Sequence, residues 1–156
     1  MYSSLDDEEY NMVWDMIEHK YQFSPSIYPE KWPGIKEPAP SVTFSWKDVD
    51  GFYEQTEVLD NILIPAFITL SAKNKINYIL DWQHTCYKLT GINLKESYPL
   101  GVFPDGDYHI WLSTDLSCGT FGHPWEESIC IIGKELIDLV EAKLNDVLGN
   151  PIRKNN

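Results

Sequence analysis

Three short apolar segments between Tyr108 and Ile132 limit the possible folds of this chain more than any other feature. They run over Tyr108–Ser113, Cys118–Gly122 and Ser128–Ile132, and the links between them, 114–117 and 123–127, are four and five residues long. A parallel crossover needs a dozen residues or more, so strands joined this tightly run antiparallel, as a meander. Pro104-Asp105-Gly106 supplies turn chemistry at the entrance. Beyond it, Tyr108, Ile110 and Leu112 fall on one side of a strand and Asp107, His109, Trp111 and Ser113 on the other.

Helices and further strands precede and follow this meander. Met12, Val13, Met16 and Ile17 recur at helical spacing behind an acidic first turn, which predicts a helix from about Leu5 to Tyr21. Residues 22–40 hold five prolines, which remove amide donors too often for a helix or a central strand, and interspersed aromatics make this segment a covering loop. Val42, Phe44 and Trp46 alternate with polar residues as in a strand. Leu59, Ile62, Leu63, Ala66, Phe67 and Leu70 mark a second helix, from about Glu54 to Lys73, that Pro65 kinks or divides. A strand with Ile76, Tyr78, Leu80 and Trp82 on one face follows, and Tyr87 and Leu89 extend it after an irregularity. The last helix runs over Glu135–Leu148, where Gly149 and Pro151 end it, and residues 152–156 read as a frayed tail. The expectation is therefore one α+β domain over residues 1–156, with an antiparallel sheet of about five to six strands and helices packed mainly on one face.

Charge narrows the function classes. The net charge is −12, and the single arginine is Arg153. Such a surface repels phosphate backbones and anionic lipid, so neither nucleic acid nor a membrane is an expected partner, whereas a basic protein is permitted. The acidic start of the chain lacks a basic segment leading into an apolar one, and three cysteines without metal-type spacing suit reduced thiols, so a cytoplasmic location is expected.

Leu80-Asp81-Trp82-Gln83-His84-Thr85-Cys86-Tyr87, Pro104-Asp105-Gly106-Asp107-Tyr108 and Phe121-Gly122-His123-Pro124-Trp125-Glu126, running into Ile129–Gly133, together resemble a bacterial family described only as domain of unknown function 2716. The resemblance extends along most of the chain and is most specific over residues 80–133. It implies a bacterial, cytoplasmic protein and supplies no mechanism.

The residues themselves offer candidate chemistry without completing a known motif. His84, Asp105, Asp107, His109, His123 and Glu126 could pair as ligands or as acid and base, but none lies at a recognised metal spacing, so no metal site and no cofactor is expected. Asp105 and Asp107 are equally suited to building the turn, and His109 to an outer sheet face. His123-Pro124-Trp125-Glu126, in a link between strands, is either an acid–base pair beside an aromatic wall or a structural plug. No nucleophile elbow or phosphate cradle is present, and Cys86, close to His84, is the one thiol with a reactive reading. Three functional readings follow, with enzyme activity the less favoured class. The first is a non-catalytic binding protein with an acidic aromatic surface, acting on a basic partner as immunity proteins do. The second is a small hydrolase centred on His84, His123 and Glu126, with Asp107 and His109 nearby. The third is a small-ligand cleft lined by Trp82, Tyr108, Trp111 and Trp125.

Overall fold

The computed structural model describes residues 1–156. Eight strands form one sheet: β1 (Tyr2–Ser4), β2 (Ser41–Ser45), β3 (Ile76–Asp81), β4 (Tyr87–Leu89), β5 (His109–Ser113), β6 (Gly119–His123), β7 (Ser128–Ile132) and β8 (Arg153–Asn155). Their order across the sheet is β1-β4-β3-β5-β6-β7-β2-β8, and each neighbouring pair is antiparallel. The expected meander is β5-β6-β7 and occupies the middle of the sheet. Three α-helices accompany it: α1 (Asp7–Tyr21), α2 (Glu57–Thr69) and α3 (Lys134–Leu148). Pro65 lies inside one continuous α2 and does not divide it.

The α+β expectation holds, with three corrections. There are eight strands rather than five or six, because the three-residue strands β1 and β8 extend the sheet at its two edges. Residues 152–156 are not frayed. The Ile152 N–H donates to the Thr43 carbonyl at 2.8 Å, and β8 pairs with β2 from Arg153↔Thr43 to Asn155↔Ser41. The helices also do not gather on one face. α2 and α3 cover one side, where Leu59, Leu63 and Phe67 meet Phe44, Trp111 and Ile129 and where Leu136, Val140 and Leu144 complete the layer. α1 and the proline-rich segment cover the other, bringing Val13, Ile17, Tyr21 and Ile35 onto Leu80, Ile110, Leu112, Phe121 and Ile132.

Both layers follow from the central strands, which are buried along their whole length and so need cover on each side. Each fully enclosed Leu, Ile or Phe in these layers contributes roughly 1.5–3 kcal/mol of apolar burial. A register shift between Ile76 and Tyr78 moves Ile76 to the α2 side, while Tyr78, Leu80 and Trp82 remain on the α1 side. No helix is long and apolar enough to cross a membrane.

Candidate functional site

The link between β6 and β7 places His123 and Glu126 in a closed structural network. His123 Nδ1 accepts a hydrogen bond from the Glu126 amide at 3.0 Å, so a neutral ring carries its proton on Nε2, which is buried without a partner. Trp32, Tyr108 and Trp125 approach the imidazole edge-on, with centroid separations of 5.5, 4.8 and 6.2 Å. Burial lowers its pKa to about 4 against the opposing charge of Glu126. Glu126 itself is bound by Arg153 through Nη1 at 3.0 Å and Nη2 at 2.6 Å, and by the Ser128 hydroxyl at 2.6 Å. Burial pushes the Glu126 carboxyl up, but the Arg153 and Ser128 hydrogen bonds outweigh it and hold the group below its ordinary value. The same guanidinium binds Glu37 through Nε at 2.6 Å and Nη2 at 3.2 Å, and the Thr43 hydroxyl donates to Glu37 as well. This arrangement fastens 37, 126 and 153 together and leaves no open face for a substrate at His123.

A different set of polar groups opens to solvent on the α2 side. A groove of about 520 Å³ runs between the start of α2 and the ends of β3 and β5, lined by Tyr53, Thr56, Glu57, Asp60, Asp81, Pro99, Leu100, Gly101, Phe103, Asp105 and His109. Four of these are carboxylates, and none is lysine or arginine. Asp60 is fixed by the Val102 amide, which donates to Oδ1 at 2.7 Å. Burial raises the Asp60 pKa against that hydrogen bond. Gly101 leaves room for that carboxylate, since a Cβ on it would lie 2.6 Å from Asp60 Oδ2 and the Asp60 side chain would have to shift.

His109 forms part of the groove and is not on an outer sheet face: it is only 6% exposed. Its Nδ1 lies 3.2 Å from the Gly101 carbonyl, and Trp111 Nε1 donates to the same oxygen at 3.2 Å. A carbonyl only accepts, so Nδ1 carries a proton and a neutral His109 keeps its lone pair on Nε2.

His84 occupies the turn after β3, beside the groove residue Asp81. Its Nδ1 is 3.2 Å from Asp81 Oδ1 and 3.5 Å from Asp107 Oδ2. The hydrogen bond and charge of Asp81, with Asp107 adding to them, raise the His84 pKa. Asp107 is pushed up chiefly by burial, and the neighbouring Asp81 charge adds to the effect. His84 shares no hydrogen-bond partner with His123, whose ring is enclosed by aromatics on the α1 side. Of the expected grouping, His123 bonds the Glu126 amide, while His84 meets Asp81 and Asp107.

The proposed aromatic cleft is split as well. Trp82, Tyr108 and Trp125 do form one cluster on the α1 side, with Tyr108 5.8 Å from Trp82 and 5.3 Å from Trp125. Trp111 points through the opposite face and stacks on Phe67 at 5.5 Å, because alternate residues of β5 face opposite layers. Tyr108 and Trp111 are both wholly buried, so they fill the core and do not line a cavity between them. All three thiols are buried, and burial raises the pKa of each, to about 12 for Cys118.

Asp60 and Glu57 are not among the residues the sequence singles out. Asp60 carried one readable sign, a carboxylate set directly beside Leu59 in an apolar helix, but its convergence with His109 depends on the loop 99–102. Glu37 and Arg153 are brought together across 116 positions, which no local pattern announces.

The comparisons with known proteins give a family but no activity. The family model described as "Protein of unknown function (DUF2716)" matches residues 4–137. Uncharacterized protein YxiI of Bacillus subtilis (strain 168) is 33% identical over 88 residues, covering 53% of this chain and 54% of that protein. The match thus spans about half the length of this curated relative. No solved structure matches the chain.

Proposed function

We propose, for a chain that belongs to the DUF2716 family of proteins of unknown function, a role in binding a basic protein partner through the groove between α2 and the ends of β3 and β5. The observation that carries this reading is the groove's lining, with four carboxylates and no lysine or arginine. A lysine or arginine side chain entering there meets Glu57, Asp60, Asp81 and Asp105 together, and charge complementarity of this kind steers encounter and rejects acidic competitors. Tyr53, 63% exposed, and the Phe103 ring beside it at 6.0 Å add aromatic surface suited to a cation. Neutralising a basic toxin, as immunity proteins do, is one form such a role takes, and it fits the net charge of −12.

The decisive experiment compares two double variants that remove the same charge from different places. An arginine-rich peptide is titrated into the wild type, into Glu57→Gln/Asp105→Asn in the groove, and into Glu8→Gln/Asp15→Asn on the exposed face of α1. The groove variant loses about tenfold in affinity or more, and the α1 variant stays within about twofold of wild type. Equal losses in both would show diffuse acidity at work and remove the groove from the reading.

A further inference from the structure

A second set of donor atoms adjoins that groove and shares Asp81 with it. Asp81 is the last residue of β3 and lies opposite His109 in β5, while Asp107 precedes His109 by two. Asp107 lies in the bend just before β5, and both carboxylates reach the same nitrogen, His84 Nδ1. The turn 82–85 brings His84 back over them, closed by the His84 amide donating to the Asp81 carbonyl at 3.0 Å. One atom from each of Asp81, His84 and Asp107 lies within 4.8 Å of the other two. Donors that share a first-row ion at about 2.0–2.2 Å stand roughly 3.0–3.6 Å apart. The two imidazole–carboxylate separations, 3.2 and 3.5 Å, already have that spacing.

Charge gives a second, independent reason. The Asp81 and Asp107 side chains are only 21% and 18% exposed, yet neither forms an ion pair with a lysine or arginine. Their nearest cationic neighbour is the His84 imidazole, 61% exposed, which neutralises at most one of the two, and the His109 ring lies within electrostatic reach of Asp107. Two carboxylates held side by side and partly out of water repel each other unless a cation sits between them. The nearby Cys86 thiol is not part of the set, since it faces the backbone carbonyls of Asp81 and His84 at 3.5 Å each.

We propose that Asp81, His84 and Asp107 form a binding site for a first-row divalent cation such as Zn²⁺ or Mn²⁺. One nitrogen and two carboxylate donors suit these ions, and three protein ligands leave coordination positions for water or for a ligand atom. The site does not depend on the basic partner, and the two would compete where they share Asp81.

The test is calorimetric titration of Zn²⁺ alone and of Mn²⁺ alone into the full chain, with Mn²⁺ line broadening of NMR signals as a map. The wild type takes up one equivalent, and broadening centres on residues 81–84 and 107. His84→Ala and Asp81→Asn/Asp107→Asn each weaken binding by about tenfold or more. Glu57→Gln/Asp105→Asn leaves it within about twofold, which separates this site from the peptide-binding groove. His84 is exposed, so its removal does not endanger folding. The proposal is overturned if neither ion binds with one-to-one saturation, if His84→Ala binds as wild type does, or if the loss follows the groove variant instead.

Discussion

At His123 an imidazole is wholly enclosed, its Nδ1 accepting the Glu126 amide and its Nε2 without a partner. Such a group stays neutral in the folded protein, because charging it would bury a cation beside Arg153. The unfolded imidazole protonates near pH 6.5 and the folded one only near 4. Between those values the unfolded chain holds more protons, so stability rises with pH through this window. It is complete above about 6.5, lost as pH falls towards 4, and level below that. The loss amounts to something on the order of 3 kcal/mol. Asp60 and Asp107, with raised values, bias stability the other way, so the His123 contribution is read as a difference between proteins. Urea unfolding from pH 4 to 7 will show a steeper rise for the wild type than for His123→Gln. Parallel curves would mean that the ring titrates in the native state as it does in the unfolded chain.

Arg153 decides whether the last strand exists. β8 has three residues, an edge position and no alternating apolar pattern, so pairing with β2 alone gives it little hold. The guanidinium supplies the rest by binding Glu37 and Glu126, whose side chains are 6% and 10% exposed. Replacing it with alanine strands two buried carboxylates, which costs several kcal/mol in a sealed site and about 2–3 kcal/mol here, since Arg153 is itself 32% exposed. Arg153→Ala should therefore lower the urea midpoint, and the amides of 152–155 should exchange as in a free chain. Arg153→Lys should recover part of the loss, because a point charge cannot fork to two carboxylates. Retained protection of those amides in the alanine variant would assign β8 to backbone pairing instead. This element also marks what sequence can reveal. Tyr108, Ile110 and Leu112 announced their face because a strand has period two, and the short links of the meander forced its direction. The edge strands, the Ile76 register shift and the approach of Asp107 to His84 come from pairings distant in sequence, which no local period encodes. Asp81 and His84, three apart on one turn, are within reach of a local reading; Asp107 is a candidate by residue type, and its contact with His84 is set by the fold.

Across the whole molecule, 24 acidic side chains face 12 basic ones. Several of the basic groups are already committed: Lys88 to Glu9 at 2.9 Å, Lys134 to Asp138 at 2.7 Å, Lys154 to Glu141 at 3.0 Å, and Arg153 to its two carboxylates. The three lysine pairs are exposed and each adds little, while the remaining carboxylates repel one another over the folded surface. Screening acts on both, but the repulsion is summed over many pairs at long range and the attractions are few and close. At about 10 mM salt the screening length is about 30 Å, wider than most separations in a domain of this size, and by about 150 mM it has shrunk to about 8 Å. Raising NaCl over that interval should thus stabilise the protein by about 1 kcal/mol in urea unfolding with a chelator present. Chloride is the appropriate anion, because sulfate strengthens apolar burial on its own account. The same salt step should weaken the arginine-rich peptide, since binding to the groove draws on the charge excess that folding opposes. Opposite responses of stability and binding to one salt gradient are the signature of uncompensated negative charge. A stability that fell along with the binding would instead show the lysine pairs outweighing the repulsion, and the acidic groove would then lose its claim to a long-range pull on a basic partner.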